Sequence, residues 1–343
     1  MYIENNNIKN QLSTWLVFIF FLIAAMIVVG GLTRLTDSGL SITKWELFSG
    51  IFPPLNEQEW IYYFDEYKQI PEYKLQNFSM TMSEFKIIFW WEWAHRLLGR
   101  LVGLCFLIPL IYFTFKIQFK KLLNLYFIFL LICFQGFIGW YMVSSGLVQR
   151  VDVSHFRLSI HLFIAFVILS MIFWNYLKIN VKIINYKRIS SSITLTFLLL
   201  IYFQLIIGAF VSGMDAGKIY NSWPLMGESY FPNDNKINNL FQLSAFSDPS
   251  LVQFIHRNFA YLIFIFYLFI VFNVFKKKII NLYKPLKVLG FFMLLQIVLG
   301  VFTVLNGAQI LIASMHQISS IFLVSSSIYF FYINTESNLQ LSN

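Results

Sequence analysis

Apolar residues form eight runs along this chain, each close to the length that a lipid bilayer requires, with polar or charged connections between them. About 20 residues of α-helix cross the hydrocarbon core, and a helix satisfies its own backbone polar groups there. The pattern predicts an all-α integral membrane protein. We predict its eight transmembrane helices at residues 13–34, 87–115, 122–144, 156–177, 190–213, 252–275, 286–305 and 309–332.

Two long connections depart from this regular pattern, at residues 35–86 and 214–250. The first contains LNEQEWIYYFDEYKQI, in which apolar and acidic positions are mixed as in a short helix lying at a membrane interface. An ordinary solvated loop explains the same composition. The polar start of the chain precedes the first apolar run without a cleavage site, so we expect that run to be a retained helix.

Composition supports the membrane class: 58% of the residues are hydrophobic, 12% are charged, and the mean hydropathy is +0.67. The net charge of +9 is unevenly distributed. Both termini and the short connections on their side carry thirteen lysines and arginines against two acidic residues. The positive-inside rule therefore predicts cytoplasmic termini, and basic residues in short interhelical loops do not indicate a nucleic-acid surface. The composition and the lack of a transit peptide favour a bacterial inner membrane.

The chain also repeats itself. EWAHRLLGRL from Glu92 resembles QFIHRNFAYL from Gln253, and QGFIGWYMVSSG resembles QIVLGVFTVLNG, both at an offset of 161 residues. GGLTRLTDSG from Gly30 resembles GAFVSGMDAG from Gly208 at an offset of 178. Because each copy has an even number of helices, both copies enter the membrane the same way. We predict two pseudo-symmetric four-helix bundles, residues 1–188 and 189–343.

Four histidines recur with this repeat: His95, His161, His256 and His316. Each falls within about the first two turns of an even-numbered predicted helix, so all four lie at a similar depth. Ionisable groups inside a membrane usually have a function, and a histidine pair in a four-helix bundle is a typical axial ligand set for haem. Zinc fits less well, because it prefers three or four ligands around one ion.

Smaller features surround these histidines. Each is followed four residues later by a small residue, which leaves room for a porphyrin plane or for close helix packing. Arg96 and Arg257 directly follow two of the histidines, where they can pair with haem propionates or extend towards the interface. His155 is expected in a loop. The i+4 residues are Gly99, Ala165, Ala260 and Ser320.

The two copies differ one turn before the first histidine of each. Glu92 precedes His95, whereas Gln253 precedes His256. The amide is nearly the same shape as the carboxyl group but cannot take up or release a proton. This difference predicts proton-coupled chemistry at one haem and electron transfer at the other. A structural carboxylate paired with Arg96 or Arg100 explains Glu92 equally well.

Five sequence segments carry a family resemblance: EWAHR, the downstream LSIHL, QFIHR, the final MHQ and GGLTRLTDSGLSITKW. Through them the chain resembles the haem A synthase family of proteobacteria and mitochondria over residues 15–332. The resemblance implies an enzyme that oxidises a methyl group of haem O to a formyl group, giving haem A for aa3-type oxidases. It implies His95 and His161 as ligands of the substrate haem, His256 and His316 as ligands of haem B, and Glu92 as the catalytic acidic residue. It also implies haem O synthase, a farnesyltransferase, as a partner.

Three other functions fit parts of the pattern. A di-haem electron carrier of the cytochrome b type explains the histidines but not the difference between Glu92 and Gln253. A transporter would show broken helices and charge near the midplane, and an assembly scaffold needs no histidines. The electron-transfer partner is not identified by the sequence, and the oligomeric state, a homo-oligomer included, is open.

Overall fold

The structure, a computed structural model, describes residues 5–46, 48–181 and 187–335. Within these ranges the secondary structure is helical apart from one isolated bridge between Met226 and Ser229. Two of the α-helices are short and lie in the first long connection: α2 (Glu57–Tyr67) and α3 (Pro71–Leu75). The long helices are α1 (Asn6–Leu35), α4 (Met82–Thr114), α5 (Phe119–Gln149), α6 (His155–Asn180), α7 (Ser191–Gly213), α8 (Pro249–Lys276), α9 (Tyr283–Leu305) and α10 (Ile310–Thr335).

All eight long helices are long and apolar enough to cross a membrane, with peak hydropathies between 1.4 and 2.8. Each coincides with one of the eight predicted runs, so the prediction of an all-α membrane protein with eight spans is confirmed. His155 is the first residue of α6 and not part of a loop as predicted.

The chain divides into two compact units, Met1–Phe20 with Phe166–Asn343, and Phe21–Ala165. In the first unit α7 packs on α8 and α10, and α9 packs on α8 and α10, which closes a four-helix bundle. In the second unit α4 packs on α5, while α2 and α3 pack on α4 and α5 respectively. The division at residues 188 and 189 rests on the sequence repeat and stays a prediction.

The first long connection contains the amphipathic helix that its sequence suggested. Asn56 caps α2 by accepting a hydrogen bond from the backbone N–H of Glu59 at 2.9 Å. The apolar face of α2 packs against protein: the Trp60 ring lies 5.0 Å from that of Phe89, and the Phe64 ring lies 4.9 Å from that of Phe85. The helix therefore forms a lid over the first turns of α4.

The start of α4 differs from the sequence prediction. Thr81 and Glu84 form a reciprocal capping box, so the helix begins at Met82. His95 consequently lies in the fourth turn of its helix, whereas His161, His256 and His316 lie in the second turn of theirs. The added turns carry Phe85 and Phe89, which bind the lid helix. They extend the helix that carries His95 beyond the length of its counterpart in the second copy.

A buried carboxyl group lies beneath the lid. Glu72, in α3, is 4% exposed and accepts hydrogen bonds from Tyr67 Oη at 3.1 Å and Asn77 Nδ2 at 3.3 Å. Burial raises its pKa to about 8. The hydrogen bond from Tyr67 opposes that shift, and the negative charge of Glu92 adds to it. The folded connection therefore favours a neutral Glu72 near pH 7.

We expect the lid to lose stability as the pH rises. A carboxyl group whose pKa is higher in the folded than in the unfolded state stabilises the fold fully below its unfolded value of 4.5, and this contribution disappears as the pH passes 8. At about 1.4 kcal/mol per pKa unit, the loss amounts to a few kcal/mol. Hydrogen exchange across residues 57–77 measures it. Glu72→Gln should flatten the pH dependence, whereas Glu57→Gln on the exposed surface should leave it unchanged.

Candidate functional site

The first histidine pair is brought together within one compact unit. His95 of α4 and His161 of α6 have ring centroids 6.5 Å apart, with an angle of 64° between the ring planes. Two imidazoles that bind one metal ion from opposite sides, through bonds of about 2 Å, have centroids roughly 6 Å apart. The spacing thus matches a single metal ion between the two rings.

Each of the four histidine rings faces a glycine on the neighbouring helix. A methyl group on any of these glycines would contact an imidazole atom at a distance that is too short without displacement of the ring. The glycines therefore fix how closely each ring can approach its neighbouring helix. The shortest distances from an added Cβ to the ring are 3.0 Å for Gly30 to His95, 3.1 Å for Gly139 to His161, 3.2 Å for Gly208 to His256 and 3.0 Å for Gly300 to His316.

Three of these rings carry a buried nitrogen that makes no hydrogen bond within the described ranges. It is Nδ1 in His161, His256 and His316. A buried polar atom without a partner costs about 1–3 kcal/mol, so such an atom indicates a missing ligand or partner. Together with the glycine contacts and the 6.5 Å spacing of the first pair, this arrangement fits haem ligated by two histidines.

Glutamine side chains hold the helices that carry the histidines. Gln135 donates a hydrogen bond to the backbone oxygen of His161 at 2.8 Å, and Gln204 donates to that of His256 at 3.0 Å. Gln296 lies 3.3 Å from Nε2 of His316. In the repeat alignment Gln135 matches Gln296, whereas Met26 stands at the place of Gln204. The first histidine pair therefore lacks one of the amides present at the second.

Glu92 is 2% exposed and fully hydrogen-bonded. Its Oε2 accepts from Ser41 Oγ and from the backbone N–H of Ile42, both at 2.7 Å. Its Oε1 accepts from Arg96 at 2.6 Å from Nη2 and at 3.1 Å from Nε. This ion pair is the structural pairing that the sequence left open as an alternative. It places a charged carboxylate one helical turn from His95.

Arg96 and Arg257 bind the backbone of the long connections in the same way. Arg96 donates to the carbonyl oxygens of Ile42 at 2.8 Å and Lys44 at 3.1 Å. Arg257 donates to those of Tyr220 at 2.8 Å and Ser222 at 2.9 Å. The carbonyls in the two copies are related by the same offset of 178 residues. The role of both arginines in propionate binding stays a prediction.

The second copy replaces the carboxylate contact by an amide contact. Gln253 is 2% exposed and donates to the carbonyl oxygen of Tyr220 at 3.0 Å. Glu92, at the matching place, accepts from the N–H of Ile42, the residue that aligns with Tyr220. A carboxylate accepts and an amide donates through nearly the same shape. At this place the two copies therefore differ in the charge of the side chain and in the direction of its hydrogen bond to the long connection.

The glycines were not selected from the sequence as site residues, although all four lie in the repeated segments. Their role depends on a contact between neighbouring helices, which the spacing within one helix does not reveal. For the predicted i+4 residue Gly99, an added Cβ would lie 3.4 Å from Met26 Cε. Within the described ranges, no cluster of three or more His, Cys, Asp or Glu side chains is arranged to hold a metal ion.

Comparison with known proteins identifies the family. Residues 13–328 match the model of a family described as cytochrome oxidase assembly protein. The chain belongs to this family. A heme A synthase of Pelagibacter ubique (strain HTCC1062) is 50% identical over 343 residues, which cover 98% of this chain and 100% of that protein. A heme A synthase of Rickettsia bellii (strain RML369-C) is 43% identical over 328 residues, covering 94% and 97% respectively. The predicted family resemblance is confirmed.

In this member of the cytochrome oxidase assembly protein family, we expect Gly139→Ala to weaken haem binding at the first histidine pair. The added methyl group would lie 3.1 Å from His161 Cε1 and force the ring to move, at about 1–3 kcal/mol for such overpacking. This corresponds to roughly 5- to 150-fold weaker binding. Absorbance titration with haem measures it.

Gly136→Ala is the matched control. It lies on the same helix, and an added Cβ there meets no atom within 4 Å. Both substitutions raise helix propensity equally, by about 1 kcal/mol. Equal haem affinity in the two variants would show that the glycine contact does not position His161.

Proposed function

We propose that this chain is a haem A synthase that oxidises a methyl group of haem O to a formyl group. The observation that carries the proposal is the first histidine pair, 6.5 Å apart, with the Glu92–Arg96 ion pair one turn away. Family membership and the names of the relatives support the same reaction. The product, haem A, serves aa3-type cytochrome oxidases.

His95 and His161 hold the iron of the substrate haem O, and His256 and His316 hold a resident haem B. The glycine opposite each ring supports this assignment, because it lets the imidazole lie close to the neighbouring helix, and in His161, His256 and His316 one ring nitrogen makes no hydrogen bond within the described ranges. Haem B, when bound, supplies one-electron transfer. The absence of a carboxylate at Gln253 is consistent with a site that exchanges electrons and moves no protons there.

Conversion of a methyl group to a formyl group adds one oxygen atom and removes four electrons and four protons when that atom comes from water. Successive oxidations give a geminal diol, which loses water to form the aldehyde. A group beside the substrate must accept protons from carbon or oxygen at each stage. Glu92 takes this role, and Arg96 orients its carboxylate through two hydrogen bonds. The carboxylate also stabilises positive charge developing at the methyl carbon.

The location of the protein and its partners are proposed from its eight membrane spans and from the reaction. The eight spans make it a multi-pass membrane protein, and we propose the bacterial inner membrane with both termini in the cytoplasm. Haem O is synthesised by a farnesyltransferase, so we propose haem O synthase as the partner that supplies the substrate. An electron-transfer partner must accept the four electrons, and assembly as a homo-oligomer is compatible with this function.

Glu92→Gln should abolish haem A formation while preserving the fold. Gln253 occupies the matching place in the second copy and retains the contact with the long connection, so an amide is compatible with this backbone. Loss of a general acid or base lowers rates by about 10²- to 10⁴-fold. Mass spectrometry of haems extracted from cells that co-express haem O synthase should show haem A with the unaltered chain and haem O or a hydroxylated intermediate with the variant. Haem B and haem O alone in both samples, with folded and haem-loaded protein, would support the di-haem electron carrier instead.

Histidine substitutions test the assignment of the two haems. We expect His161→Ala to lose haem O while retaining haem B, and His316→Ala to lose the resident haem B. The physical reason is that each change removes one of the two histidines that would hold one of the haems. Haem content and reduced-minus-oxidised spectra of the purified protein measure both. His155→Ala, on the same helix as His161, is the control and should retain both haems; equal loss in all three variants would contradict the assignment.

A further inference from the structure

A partly buried arginine, Arg157, lies beside the first histidine pair and is not explained by the function described so far. It precedes His161 by four residues on α6, so the two side chains share a helix face one turn apart. Its guanidinium donates to Ser145 Oγ and, at 3.4 Å, to Tyr141 Oη. Both partners belong to α5, the helix whose Gly139 faces the ring of His161.

The partners of Arg157 are all neutral. Its guanidinium carbon lies 4.6 Å from the centroid of the Tyr141 ring, in a cation–π contact. None of the ion pairs within the described ranges includes Arg157. A partly buried cation is normally paired with an anion, because taking it out of water is costly. Among the described residues, Arg157 therefore presents a positive charge at this place that no carboxylate pairs with.

The donor nitrogens of Arg96, which directly follows His95, are already engaged within the protein. Arg96 uses its Nε and both terminal nitrogens on Glu92 and on the carbonyls of Ile42 and Lys44. Arg157 is held by two neutral groups on one side, which orients the guanidinium and leaves other N–H donors for a further acceptor. A planar guanidinium of this kind binds a carboxylate through two parallel hydrogen bonds.

The second copy lacks this arrangement. His316 aligns with His161, and the residue four positions before it is Ile312. Phe302 stands at the place of Tyr141, and Asn306 at the place of Ser145. The cation and the two hydroxyl groups that accept its hydrogen bonds are therefore specific to the copy that carries Glu92. This distribution associates the charge with the reacting haem and not with haem ligation in general.

We propose that Arg157 binds a propionate carboxylate of haem O and so fixes how the porphyrin is rotated between His95 and His161. Two axial histidine bonds leave a porphyrin free to turn about the axis through its iron. A carboxylate held at the edge stops that rotation and determines which methyl group faces Glu92. Arg157 is thus a substrate-binding and specificity-determining residue, and the inference rests on the proposed assignment of haem O to the first pair.

The test compares haem O with its dimethyl ester, in which both propionates are neutral. Each is titrated into the full-length protein purified in detergent with its resident haem, and binding is followed by absorbance. The unaltered chain should bind haem O at least about tenfold more tightly than the ester, as expected for a charge-assisted contact of about 1.5–3 kcal/mol. Arg157→Gln should bind both forms equally, with the affinity that the ester shows for the unaltered chain.

Arg150→Gln is the matched control, because it removes an exposed arginine from the loop that precedes the same helix. It should keep the preference for haem O. Arg157→Lys retains the positive charge without the planar guanidinium group, and it should recover part of the preference for haem O over its dimethyl ester. In turnover, Arg157→Gln should raise KM for haem O and give formyl groups at more than one ring position, which a purely structural loss would not do.

The outcomes separate the two proposals. Equal affinity of the unaltered chain for haem O and its ester, or an undiminished preference in Arg157→Gln, would overturn the role of Arg157 alone. Failure of the unaltered chain to bind either form at the first pair, or to convert haem O, would overturn the proposed function itself. The ester comparison on the unaltered chain remains decisive even where Arg157→Gln fails to fold.

Discussion

The hydrogen bonds from Arg96 and Arg257 to carbonyls of the long connections are the constraint on which both copies of the repeat depend. At the end of a membrane-spanning helix, the carbonyl oxygens of irregular backbone need hydrogen-bond donors. The guanidinium group of an arginine supplies several such donors and stays protonated over the whole working pH range. Each arginine directly follows a histidine. The position of the connection and the position of the imidazole are therefore set by adjacent residues of one helix and cannot shift independently.

The two copies share this support but differ in the charges around it. Glu92 accepts a hydrogen bond from the N–H of Ile42, whereas Gln253 donates one to the carbonyl oxygen of Tyr220. Glu92 in addition forms the ion pair with Arg96 and accepts from Ser41. Arg157 in one copy corresponds to Ile312 in the other. An arginine follows the first histidine of each pair, but the charges of Glu92 and Arg157 have no counterpart at the matching positions Gln253 and Ile312 of the second copy.

The sequence is sufficient to predict the eight spans, because hydropathy and length alone determine which segments cross a bilayer. The repeat also indicates the four histidines and Glu92 as candidate site residues, because the histidines recur in both copies and Glu92 has Gln253 at the matching place. The sequence does not predict that Arg96 binds Ile42 and Lys44, because those partners lie more than 50 residues away and belong to irregular backbone. The sequence also does not predict that α4 begins at Met82, because the capping box at Thr81 lies in a segment too polar to be assigned to a membrane helix.

The glycines that contact the histidine rings cannot be predicted from residue spacing within one helix. Spacing of i to i+4 identifies Gly99 as the small neighbour of His95, but the ring of His95 is in contact with Gly30 on another helix. Gly30 and Gly99 affect the ring of His95 in different ways. Gly30 lets the imidazole lie against α1, which determines the direction of its nitrogen atoms, whereas a small residue at i+4 can only relieve crowding alongside the ring. Ligand geometry therefore depends on the helix that faces the histidine, and the repeat alignment, which pairs Gly30 with Gly208 and Gly139 with Gly300, is the signal from which it could have been inferred.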